Sequence, residues 1–139
     1  MTRIAAICDR LQHNEELPAL LDTAYAAFEM LLSAIEDCQD PASDMFAQFV
    51  YAATTAANGR DAILFAPSLP VRPLHAADAS VDGWGSGSDL QNLATLSDVL
   101  CHALAQAVAA VPGHEDQRAC HHAVQCAVEI HRLLTGAAP

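Results

Sequence analysis

Residues 119–131, ACHHAVQCAVEIH, hold two cysteines, three histidines and one glutamate, which are side chains that bind metal ions in proteins. In a helix, which turns about 100° per residue, such side chains share a site only if their spacing puts them on one side. His122, Cys126 and Glu129 meet this condition because they are four and three residues apart. They form a candidate half-site for a metal ion, whose remaining ligands would have to come from another segment.

A simpler interpretation of this stretch is that its cysteines are small hydrophobic side chains beside a core and its histidines lie in solvent. The sequence has neither the Cys-x-x-Cys-His motif of covalent haem attachment nor the Glu-x-x-His motif of di-iron bundles. No cofactor is therefore predicted, and metal or haem binding by the C-terminal helix stays open as an alternative.

A second candidate site consists of Arg60, His131 and Trp84. The Asn-Gly pair immediately before Arg60 predicts that a helix ends there, since both residues favour helix termini. If the helix instead continued to Ala66, Arg60 would lie in the middle of its apolar face and would need a carboxylate partner. A pocket between helices near Arg60 and His131, with the Trp84 loop as a lid, would then bind a small molecule.

Two Cys-His pairs, Cys101-His102 and Cys120-His121, raise the possibility of nucleophilic catalysis. Adjacent residues of a helix point about 100° apart, so neither pair is placed for proton transfer within one helix. No catalytic residue is therefore assigned, and the sequence leaves open whether the protein is an enzyme.

Apolar residues recur every three or four positions in four long segments, which predicts helices over about 16–38, 43–58, 89–111 and 115–135. A short helix is predicted over 3–12, and the prolines and glycines of residues 67–88 predict a long connection. The fold class that follows is all-α: a four-helix bundle of two antiparallel helix hairpins joined by a long crossover loop, with a short extra N-terminal helix. Residues 1–139 are expected to form a single domain.

The charge of the chain excludes several kinds of partner. Seventeen acidic residues face six arginines and no lysine, which gives a formal net charge of −11. Such a field repels the phosphates of nucleic acids and anionic membrane surfaces, so neither is expected as a partner. No segment is expected to cross a membrane, since none approaches a run of uncharged apolar residues of the required length. The charged N-terminal segment and the odd number of cysteines favour a cytoplasmic location.

Three functions are compatible with these residues. The first, which needs the fewest special side chains, is a non-enzymatic protein that acts through protein-protein interaction and self-associates, most simply as a homodimer. The second is a small-molecule-binding protein or small enzyme that uses the Arg60, His131 and Trp84 pocket. The third is a metal or haem carrier that uses His122, Cys126 and Glu129.

Overall fold

The computed structural model describes residues 3–13, 16–69, 87–110 and 113–136, with only the backbone described at residue 3 and at 87–89. Within these ranges the chain forms five helices and no strand: α1 (Arg3–Gln12), α2 (Leu17–Asp37), α3 (Phe46–Leu64), α4 (Gly87–Ala110) and α5 (His114–Thr135). The all-α prediction is confirmed. Trp84 and most of the predicted 67–88 connection lie outside the described residues.

The helix ends follow local sequence signals. Pro18 lies in the first turn of α2, where the missing backbone N–H costs no hydrogen bond. α5 ends at Gly136, whose φ of 66° is left-handed and is adopted readily by glycine, as the sequence predicted.

The core contains buried side chains from all five helices. α2 and α4 supply most of its large members, and the buried positions of α3 and α5 are mainly small residues, namely alanine, glycine and cysteine. The largest fully buried side chains are Leu21, Phe28, Met30, Leu31, Ile35, Ile63, Leu93, Leu96, Leu100, Leu104 and Ile130. Because an alanine methyl group buries little area, most of the hydrophobic stabilisation comes from α2 and α4.

Each of the four long helices contacts two of the other long helices: α2 packs against α3 and α4, and α5 packs against α3 and α4. α1 lies on α2 and α4, with Ile4 and Leu11 buried. Beyond the helices, Asp116 in the first turn of α5 accepts hydrogen bonds from Ser68, which follows α3. The C-terminal end of α3 is therefore beside the N-terminal end of α5.

The predicted end of the third helix at Asn58-Gly59 is wrong, because α3 continues to Leu64. Gly59 is buried in the middle of α3, and a Cβ atom there would lie 2.3 Å from Cε1 of Phe28 and 2.6 Å from its Cζ. The glycine is a packing residue: it lets α3 approach the fully buried Phe28 ring of α2. The Asn-Gly pair predicted a helix end because the packing of α2 against Gly59 could not be known from the sequence.

The expectation that no segment approaches the composition of a membrane helix needs correction. Among the described residues, Leu17–Asp37 and Leu90–Ala110 are long and apolar enough to cross a membrane by length and composition alone. In α2, 67% of the apolar window is buried inside the protein, and core helices pass the same test, so the finding is weak evidence for a membrane.

Candidate functional sites

Arg60, the first predicted ligand residue, is held by carboxylates. Its Nη1 donates to Oε1 of Glu29 at 3.0 Å and its Nε donates to Oδ1 of Asp61 at 3.3 Å. The side chains of Arg60 and Glu29 are only 26% and 25% exposed. The expectation that a continuing helix would give Arg60 a carboxylate partner is confirmed, and that partner is Glu29 on α2. Burial and the charge of Glu29 raise the pKa of neighbouring Tyr25.

The structure does not bring Arg60 and His131 together. Arg60 reaches towards α2, whereas the half-buried His131 belongs to α5, which packs against α3 and α4. The contact between Ser68 and Asp116 places the two residues roughly two to three helical turns apart along the helix axes. Trp84, the third member of this set, lies outside the described residues.

The candidate metal ligands His122, Cys126 and Glu129 differ in how far their side chains are exposed to solvent. His122 is exposed, whereas Cys126 is 7% exposed and burial raises the pKa of its thiol. Both side-chain oxygens of Glu129 accept hydrogen bonds from Arg132, and these bonds lower the pKa of the carboxyl group. Among the described residues no group of three His, Cys, Asp or Glu side chains is placed to hold a metal ion.

The two Cys-His pairs diverge in space, as helical geometry predicted. Cys120 is fully buried, and burial together with the charge of Asp116 raises the pKa of its thiol to about 11. His121 is exposed and its Nε2 lies 3.4 Å from Nε2 of Gln125. In the other pair, Nδ1 of His102 contacts Asp98 instead of Cys101. Cys120 is consequently a protonated core side chain at neutral pH.

The link that Asp116 makes between α5 and the end of α3 was not predicted from the sequence. Its Oδ1 accepts from the backbone N–H of Ser68 at 3.0 Å, and its Oδ2 accepts from the Ser68 hydroxyl at 2.5 Å. Only 8% of Asp116 is exposed. The available signal was an acidic residue in the first turn of a helix, which is usually explained by the helix dipole and does not indicate a partner 48 residues away.

The exposed large hydrophobic side chains in the described part of the chain lie on α3, at its C-terminal end, or on α5. We call them the α3–α5 surface: Val50, Tyr51, Leu64, Phe65 and Val128. Phe65 is 83% exposed and Tyr51 is 68% exposed. Val128 is 12 residues beyond Asp116, so it lies about 18 Å along α5, level with α3 residues near Tyr51.

Two grooves flank Arg118 of α5. The first, of about 290 Å³, lies between α3 and α5 and is lined by Ala62, Phe65, Glu115, Arg118, Ala119 and His122. The second, of about 260 Å³, lies between α4 and α5 and is lined by Val108, His114, Gln117, Arg118 and His121. Arg60 and Arg132 are paired with carboxylates, whereas the Arg118 guanidinium has no carboxylate partner among the described residues.

No protein-family model, curated protein or solved structure matches this chain.

Proposed function

We propose that this protein is a non-enzymatic, acidic helical protein that acts through protein-protein interaction, and that its partner at the α3–α5 surface is a second copy of the same chain. The observation that supports this most directly is the distribution of apolar side chains on α3. Its buried positions are mainly small (Ala52, Ala53, Ala56, Gly59 and Ala62), while Tyr51 on α3 and Phe65 directly after it are exposed.

The α3–α5 surface leaves large apolar side chains exposed to water, and burying them against a partner would release free energy. Full burial of a side chain such as Phe65 is worth about 1.5–3 kcal/mol. Isolated exposed hydrophobic residues are common, but residues of this size concentrated on two contacting helices are typical of interaction sites. Val50 and Tyr51 are separated from Leu64 and Phe65 by 14 residues, or about 21 Å, which gives the surface a length suited to a helix of a partner.

A second copy is the occupant that the charges of this face favour. The outer face of α3 and α5 carries Arg118, which has no carboxylate partner within the described ranges, and also carries the exposed carboxylates of Asp61 and Glu115, so it is locally self-complementary. A two-fold pairing brings the same surface of both copies together and lets Arg118 of each approach acids of the other. The whole-molecule charge of −11 opposes the approach, so we expect added salt to strengthen association.

The finer architecture belongs to the same proposal. We infer a four-helix bundle in which the α2–α3 and α4–α5 hairpins are joined by a crossover over residues 67–88; the contacts of α2 with α3 and α4, and of α5 with both, support it. A cytoplasmic location is also proposed. The five free thiols suit a reducing compartment.

Analytical ultracentrifugation tests the proposal. Wild-type protein should sediment as a reversible dimer, and the double variant Tyr51→Ser, Phe65→Ser should sediment as a monomer because the pairing loses its two largest contacts. Ala105 and Ala109 are exposed on α4, so the double variant Ala105→Ser, Ala109→Ser is the matched control and should still dimerise. Circular dichroism verifies that each variant is folded. A monomeric wild type at all accessible concentrations, or equal association of both double variants, would overturn the proposal.

A further inference from the structure

Three side chains on one face of α5 form a cluster of cationic character, of which the self-association proposal uses only Arg118. They are His114, Arg118 and His121, and all three line the groove between α4 and α5. At about 100° per residue, Arg118 points about 40° and His121 about 20° from the direction of His114. The three span about 10 Å along the helix, which puts Arg118 within reach of a ligand that contacts either histidine.

The electrostatics of this groove differ from those of the rest of the molecule. Its described lining holds no carboxylate: α4 contributes Val108, and the uncharged Gln117 donates to the Val108 carbonyl oxygen at 3.1 Å. Of the nearest acids on α5, Asp116 is bonded to Ser68, and Glu115 lines the neighbouring groove, which Arg118 also borders. In the part of the chain that the structure describes, the Arg118 guanidinium has no carboxylate partner and lies between two imidazoles, so the groove is a place of local positive charge in a chain of net charge −11.

We propose that the groove lined by His114, Arg118 and His121 is a binding site for a small phosphate dianion, either free phosphate or a phosphate monoester. Arginine binds such groups with two parallel N–H donors, and each imidazole adds a ring N–H donor. The groove volume of about 260 Å³ leaves room for an organic substituent against Val108. The site shares Arg118 with the self-association proposal but shares neither histidine nor Val108. The variants His114→Gln, His121→Gln and Tyr51→Ser, Phe65→Ser therefore test the two proposals separately.

Heteronuclear NMR titration of the full chain with sodium phosphate and with sodium sulfate tests the site. We expect saturable shifts confined to His114, Arg118, His121 and their neighbours. Arg118→Ala should weaken binding about tenfold, as expected for loss of a charge-assisted hydrogen bond. Arg132→Ala is the control, because Arg132 lies four turns further along the same face of α5 and is paired with Glu129.

A double substitution separates the imidazoles from the arginine. His114→Gln, His121→Gln should bind sulfate more weakly than the wild type, because two ring N–H donors are lost while Arg118 is kept. Unchanged sulfate affinity in this variant would show that the two histidines do not belong to the site.

The source of the anion is decided by comparing free phosphate with phenyl phosphate. A tighter phenyl ester, with added shifts at Val108, identifies a monoester as the ligand, and equal affinity identifies free phosphate. Shifts scattered over the surface, or affinities unchanged in Arg118→Ala, would overturn the proposal.

Discussion

α3 packs closely against two neighbours by different means. Against α2, a glycine accommodates a phenylalanine ring, and a partly buried ion pair joins Arg60 to Glu29. Against α5, buried alanines line both helices, and the hydrogen bonds of Ser68 to Asp116 fix the end of the contact. The first contact depends on one steric fit, whereas the second combines many small side chains with one polar connection.

This difference explains where the exposed aromatic residues lie. Close approach through alanine leaves no space between α3 and α5 for larger groups. The apolar side chains Val50, Tyr51 and Leu64 of α3, together with Phe65 directly after it, remain exposed and form most of the α3–α5 surface. Each of the following changes tests one side of the comparison, with the free energy of unfolding measured by urea denaturation at one fixed protein concentration.

The largest effect is expected for Gly59→Ala. Helix propensity alone would make this change stabilising by about 1 kcal/mol. Because the new methyl group would lie within 2.7 Å of three ring atoms of Phe28, we expect instead a loss of about 3 kcal/mol. Asn58→Ala, at the exposed neighbouring position, is the control and should be neutral or slightly stabilising.

A second change locates the cause of the Gly59→Ala effect. Phe28→Leu should cost less in the Gly59→Ala background than in the wild type, because the smaller side chain makes room for the methyl group. If the two substitutions were additive, the steric explanation of Gly59 would be wrong.

An intermediate effect is expected for Asp116→Ala, which leaves the backbone N–H and the hydroxyl of Ser68 without their acceptor. We expect a loss of about 2 kcal/mol. Glu115→Ala removes the neighbouring acid of the same helical turn, which is exposed, and should cost about 0.5 kcal/mol through the helix dipole. Equal losses in the two variants would show that the contact of Asp116 with Ser68 contributes nothing beyond charge.

The smallest effect is expected for the ion pair between Arg60 and Glu29. In a double-mutant cycle with Arg60→Gln and Glu29→Gln, the coupling energy should be below about 1 kcal/mol, since both side chains remain partly hydrated. The coupling should shrink further in high salt. A coupling larger than the cost of Gly59→Ala would mean that electrostatics, and not the steric fit, holds α2 against α3.

The helices and their inner faces could be predicted because periodicity is a property of each segment alone. Leu20, Leu21 and Leu31 of α2, four leucines of α4 and the alanines of α5 are buried where their spacing predicted, whereas Leu17 and Leu32 of α2 are only half-buried. The divergence of Cys120 and His121 followed from the same geometry. These predictions required no knowledge of which helix packs against which.

The roles of Gly59 and Asp116 depend on contacts with another segment of the chain. From the sequence alone, Gly59 indicates a helix end, because nothing shows that the Phe28 ring lies against it. Asp116 likewise resembles any acidic residue in a first helical turn, because nothing shows that Ser68 is near. The exposure of Phe65 was likewise hidden, since a phenylalanine near the end of a helix is usually assigned to the core. Tertiary contacts override local signals at these positions.

The contact between Gly59 and Phe28 has an evolutionary consequence. A position that accepts no methyl group while a ring occupies the adjoining space can diversify only after the ring is lost. In descendants of this chain, residue 59 should therefore stay glycine as long as residue 28 is aromatic, and replacement of the ring by a smaller side chain should come first. The order of substitutions along a lineage would then record which of the two positions constrains the other.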